Sequence, residues 1–193
     1  QNLIYDKSKV LYGLYFAKKS IVQKDNCYLV EGYTDVISLN QAGVENVVSS
    51  SGTSLTEDQI RLIERYTPNI TILYDGDVAG IKASFRGIDM ILKQGMNVKV
   101  VLFPEGEDPD SYAKNHSQIE LENFISKNAK DFIVFKTDVL LTETENDPIK
   151  KAKLIHEIVD SIALIPDEIS RSIYIKECST LLDIAEKTLI SEL

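Results

Sequence analysis

The chain has 193 residues, 44% of them apolar and 26% charged, with a formal net charge of −9. That composition excludes a disordered chain and allows a sizeable core, while the acidic balance excludes nucleic-acid binding by charge alone, since affinity for phosphates comes mainly from Lys and Arg. No run of 18 apolar residues and no leader pattern is present, so a cytoplasmic protein with no membrane contact is expected.

The first 26 residues are basic, with five lysines against two aspartates, and they open on Gln1 instead of a methionine, which suggests a piece of a longer protein. Cys27–Val30 is β-rich and predicts a first strand. Apolar spacing at Val36, Ile37 and Leu39 predicts a helix over 33–41 stopped by Gly43, and Val44–Ser49 reads as a second strand. Ser54 or Thr53 is placed to cap a helix whose apolar positions Ile60, Leu62, Ile63 and Tyr66 end before Pro68. Asn69–Tyr74 reads as a third strand, Ala79–Lys93 as a helix ended by Gly95, and Asn97–Phe103 as a fourth strand. Alternation of strand and helix predicts an α/β fold, with a largely parallel four-stranded sheet flanked by helices. After Ser117 the apolar residues fall at three- and four-residue spacings, which predicts an all-α helical subdomain with helices over 119–141, 148–165, 167–182 and 184–193. Three regions result: a connecting segment over 1–26, an α/β core over 27–115 and a helical subdomain over 116–193.

The acids mark the candidate site. In an open parallel sheet, ligands gather beyond the carboxyl ends of the strands. Glu31 follows the first strand, Asp75 and Asp77 the third, and Asp108 and Asp110 the fourth. On neighbouring strands these carboxylates would converge into a set of oxygen donors suited to Mg²⁺. Each piece also has a plainer reading: Asp-Gly-Asp is a common turn, and Glu-Asp-Pro-Asp makes a proline turn with solvated acids. Cys27 and Cys178 lack CxxC spacing and His116 and His156 lie far from both, so neither a zinc site nor a disulfide framework is expected.

Four stretches, VEGYTDVISL, SSSGTSLTEDQ, YDGDVAGIKASFRG and FPEGEDPDSY, resemble in order and spacing the Toprim region of bacterial DnaG-type DNA primases. The resemblance implies a Toprim-type α/β core, with 1–26 as the end of a basic subdomain. It implies that Glu31, Asp75 and Asp77 bind two or more Mg²⁺ or Mn²⁺ ions for nucleotidyl transfer, and that Asp35, Asp108 and Asp110 serve the same site. Lys7 matches a family lysine that meets nucleotide or template phosphates, although Asp6 and Ser8 replace the commoner His and Gly around it. Gly32 and Gly76 are expected to let backbone and water approach the metals, and Gly52-Thr53 to aim a loop amide or hydroxyl at them. Glu31 has a second candidate duty as general base. The implied function is synthesis of short RNA primers from ribonucleoside triphosphates on a single-stranded DNA template, in the bacterial replisome. The replicative helicase is expected to bind through a C-terminal domain absent from this chain, a zinc domain to lie before it, and the piece to be monomeric and weakly active or inactive alone. Two rival readings are a Toprim nuclease or topoisomerase, and a scaffold whose acids hold a structural ion.

Overall fold

The computed structural model describes residues 6–50, 52, 54–76, 78–142 and 147–193, and of 78–84 the backbone. Two compact units divide the chain: the first runs to Ala129 except for Leu92–Gly95, which belong with Lys130–Leu193 in the second. In the first unit α1 (Leu14–Lys24) precedes β1 (Cys27–Val30), α2 (Tyr33–Gln41), β2 (Val47–Ser49), α3 (Glu57–Glu64), β3 (Asn69–Tyr74), α4 (Val78–Lys93), β4 (Asn97–Leu102), α5 (Pro109–Asn115) and α6 (Gln118–Asn128). β1 pairs in parallel with β2 and with β3, and β3 in parallel with β4. Among the described residues the sheet has five strands where four are expected, in the order β2-β1-β3-β4-β5, the addition being the two-residue β5 (Lys130–Asp131).

Local chemistry sets the helix ends. Gly43, with φ 92°, stops α2, where the Val44 amide donates to the Leu39 carbonyl at 2.9 Å. The cap of α3 is Thr56 and not Ser54 or Thr53. The Gln59 amide donates to Thr56 Oγ1 at 3.2 Å and the Thr56 amide to Gln59 Oε1 at 3.1 Å, a reciprocal capping box. The buried Gln59 side chain also donates from Nε2 to the Lys7 and Val10 carbonyls, at 3.0 and 2.9 Å. Tyr12 and Ser49 exchange backbone hydrogen bonds of 3.0 and 3.1 Å. Part of the N-terminal segment is thus docked on the α/β unit. The second strand is shorter than its expected 44–49 span, because Asn46 turns its side chain back to donate to the Asn26 carbonyl at 2.9 Å.

One core cluster joins Val30, Leu73, Val101 and Phe103 to Val36 and Leu39 of α2, Ala113 of α5, and Leu121 and Ile125 of α6. Each fully buried aliphatic side chain contributes roughly 2 kcal/mol. Phe103 meets Tyr112 and Phe124 with ring centroids 5.2 Å apart in both pairs. This packing carries the first compact unit past residue 115, through α6.

The second unit contains α7 (Phe132–Leu141), α8 (Pro148–Ala163), α9 (Glu168–Leu182) and α10 (Glu186–Glu192). The single helix expected over 119–141 is two. Ala129 is extended, and Asp131 caps α7 by accepting from the Ile133 amide at 2.9 Å, while its other oxygen accepts from the Tyr174 hydroxyl at 2.6 Å. Pro148 opens α8 after the Asp147 cap, as its fixed φ favours. Leu154, Ile158, Ile162, Ile175 and Leu189 are buried in this unit. Among the described residues no helix is long and apolar enough to cross a membrane.

Candidate active site

Parallel pairing brings the ends of β1, β3 and β4 to one edge of the sheet. Glu31 is the first residue past β1 and Asp75 the first past β3, and both are exposed. Continuing the Leu29↔Ile72 register sets Glu31 level with Tyr74, one residue short of Asp75 on a strand roughly 4.8 Å away.

The loop after β4 is built around this edge. The Glu107 amide donates to the Pro104 carbonyl at 2.9 Å, and Gly106 takes a φ of 81°, as the third position of a type II turn requires. The Gly76 amide donates to the Glu107 carbonyl at 3.1 Å, and a Cβ on Gly76 would stand 2.2 Å from the Pro104 oxygen. Gly76 is therefore required by the close approach of two loops. Next, Asp108 caps α5: its Oδ1 accepts from the Ser111 amide at 2.6 Å, its own amide donates to Ser111 Oγ at 3.0 Å, and Pro109 follows as the first helical residue. The sequence reading passed over this helix, although Asp-Pro-x-Ser is an N-terminal signature.

A cavity of about 350 Å³ is lined by Asp75, Gly76, Glu105, Gly106, Glu107 and Asp108. Four of the six are acids and none is basic. Glu105 and Glu107 are not among the acids expected at the site, because only the loop's turn, and no motif spacing, brings them to this wall. Among the described residues, Glu107 Oε2 is buried with no hydrogen-bond partner.

Asp35 lies buried in the first turn of α2, where its Oδ2 accepts from the Gly32 amide at 2.9 Å. Burial pushes its carboxyl up to about 6, and the charges of Asp75, Asp108 and Asp110 add to the rise against the Gly32 hydrogen bond. Asp35 thus lies within electrostatic reach of three other predicted acids. Asp110 is held below the ordinary carboxylate range by Lys114, whose Nζ donates to Oδ2 at 2.6 Å, and by Ser38, whose hydroxyl donates to Oδ1.

The other predicted residues are placed as follows. Lys7 is exposed in a one-turn 3-10 helix over Lys7–Lys9. Gly32 is the N-cap residue of α2. The Gly52 amide donates to the Glu31 carbonyl at 3.2 Å, which ties its loop to the end of β1. Asp77 and Thr53 lie outside the described residues. Among the described residues no three His, Cys, Asp or Glu side chains are gathered closely enough to hold a metal ion. The donor chemistry nonetheless fits a hard divalent cation that keeps several waters: carboxylate oxygens only, one of them buried without a partner among the described residues.

Comparison with known proteins agrees with this architecture. A family model described as Toprim-like matches residues 28–113, and one described as the DnaB-helicase binding domain of primase matches residues 134–186. The second match corrects the expectation that helicase-binding sequence lies wholly outside the chain; amphipathic spacing alone cannot tell such helices from ordinary bundle packing. A DNA primase of Staphylococcus epidermidis is 32% identical over 98% of this chain, and the chain spans 32% of that relative's length. The structure is similar to the Escherichia coli primase catalytic core, with a TM-score of 0.84 and 31% identity, covering 96% of this chain and 60% of that one. It is also similar to a DnaG primase catalytic domain bound to single-stranded DNA, with a TM-score of 0.82 and 30% identity, covering 93% of this chain and 59% of that one. By sequence match, fold and the order of its acidic strand ends, the chain is similar to part of the catalytic core of the bacterial DnaG-type DNA primases, and it spans about a third of the length of the curated primases it matches.

Proposed function

We propose that this chain forms the nucleotidyl-transfer centre of a primase, joining ribonucleoside triphosphates into short RNA primers on single-stranded DNA. One observation carries the reading: in a fold similar to primase catalytic cores, Asp75, Glu105, Glu107 and Asp108 line one cavity at the sheet edge where Glu31 follows β1. In this reading Glu31, Asp75 and Asp77 hold Mg²⁺ or Mn²⁺, with Asp108 and Asp110 as further ligands. Bound in pairs, such ions stabilise charge on the attacked α-phosphate and align the entering and leaving oxygens.

The protein's own part is positioning. Parallel pairing fixes Glu31 beside Asp75, the Gly76 to Glu107 hydrogen bond holds the β3 and β4 loops together, and the Asp108 cap anchors the second loop to α5. Lys7, Gly32 and Thr53 are assigned to phosphate and loop contacts, and Glu31 is a candidate acceptor for the attacking hydroxyl's proton. As working modules, 1–26, 27–115 and 116–193 are the connecting, catalytic and helical parts. The whole protein is cytoplasmic, and the isolated piece is monomeric and weakly active at most.

The test is primer synthesis by the full-length protein. Asp75→Ala and Asp77→Ala should each abolish metal-dependent synthesis on single-stranded DNA while the far-ultraviolet circular dichroism stays unchanged. Retained synthesis in a folded variant would refute the assignment. A second reading rests on the helicase-binding match over 134–186: this region contacts a replicative helicase of the DnaB type. Exposed residues such as Ile169 and Ile173, one turn apart on α9, are the ones to change. The double substitution I169S/I173S should weaken helicase capture and spare primer synthesis; unchanged capture counts against this surface.

A further inference from the structure

Both oxygens of Asp110 have partners. Oδ1 accepts from Ser38 Oγ and Oδ2 from Lys114 Nζ, the latter at 2.6 Å. The two partners differ in kind. Ser38 is buried on α2, so its hydroxyl is fixed by the packing of that helix. Lys114 lies one turn along α5 from Asp110, and its side chain is 62% exposed, on a flexible stem that can leave without disturbing the helix. An exposed pair of this type is worth no more than about 1 kcal/mol.

Asp110 also has a carboxylate near it, since its charge adds, after burial, to the rise of the Asp35 carboxyl, and like charges at that distance repel. A single ammonium offsets part of that repulsion, and a divalent cation offsets more. We propose that Lys114 is a built-in counterion that competes with a divalent cation for Asp110 Oδ2, and that Ser38 is the positioning residue that keeps the carboxylate aimed once Lys114 withdraws. Neither residue stands out by motif, for Lys114 reads as an ordinary i,i+4 helix pair with Asp110 and Ser38 as a polar helix position. The inference rests on the metal-binding reading above.

Competition and simple support predict opposite signs. If Lys114 competes, removing its charge makes the site more negative and tightens the ion; if Lys114 only props Asp110 or α5, removing it leaves affinity equal or weaker. The experiment is Mn²⁺ titration of the 193-residue chain, with free Mn²⁺ read by electron paramagnetic resonance and folding checked by circular dichroism. K114M should bind Mn²⁺ about two- to fivefold more tightly than the unsubstituted chain, K114R should match the unsubstituted chain, and S38A should bind more weakly. Equal or weaker binding by folded K114M overturns the competition while the metal reading stands. Absence of saturable Mn²⁺ binding by the unsubstituted chain, or binding unaffected by D75N, overturns both.

Discussion

Asp35 shows how a single side chain reports on its surroundings. Its carboxyl is raised from the ordinary 3.8 to about 6, so between those values the folded chain binds a proton that the unfolded chain has lost. Stability therefore falls as pH rises through that window and levels off above it. Asp35→Asn keeps an oxygen for the Gly32 amide and removes the titration. In metal-free buffer it should stabilise the chain at pH 7 by on the order of 1–2 kcal/mol and lose that advantage near pH 4. Urea midpoints at the two pH values check this, and an equal difference at both would contradict it. Gly76 makes the complementary point about space: a methyl group 2.2 Å from the Pro104 oxygen forces the two loops apart. Gly76→Ala should lower the unfolding free energy by about 1–3 kcal/mol, seen as an earlier urea midpoint. At this scale the places of Asp75, Asp108 and Asp110 after strand ends were legible from the strand pattern, and Asp35 only through its motif. The cavity wall at Glu107, the Ser38 contact and the loop contact at Gly76 were not, because each depends on a loop or helix distant in sequence.

Helices and strands were legible where caps and periodicity agree. Gly43 and Gly95 end α2 and α4 as expected, both with positive φ, and Pro148 opens α8. The misreadings share a physical origin, in that a polar side chain finds a partner elsewhere in its unit. Thr56 outcompetes Ser54 as the α3 cap because its hydroxyl also donates to the Ser8 carbonyl at 2.6 Å, and Gln59 binds two further carbonyls. Asp131 splits one apolar run into α6 and α7 because Tyr174 and the Ile133 amide share its carboxylate. Thr56→Ala should cost about 1 kcal/mol and Gln59→Leu roughly twice as much, since it leaves the Lys7 and Val10 carbonyls without the donor that docks their segment. Thermal unfolding of both variants checks the order, and a larger loss for Thr56→Ala would contradict it.

At the scale of the molecule, the alternation of strands and helices revealed a parallel α/β unit, yet no local pattern reveals strand order. That order is what matters: β3 between β1 and β4 places the end of β3, with Asp75, between the end of β1, with Glu31, and the acidic loop after β4. The helicase-binding match over 134–186 was equally hidden, since its helices follow the periodicity of any bundle. The central claim is that oxygen donors from three strand ends hold divalent ions together. Anomalous diffraction from crystals of the chain soaked in Mn²⁺ tests it most directly. The account predicts peaks within coordinating distance of Glu31 and Asp75; Mn²⁺ bound only elsewhere, with those two side chains turned to solvent, would contradict it.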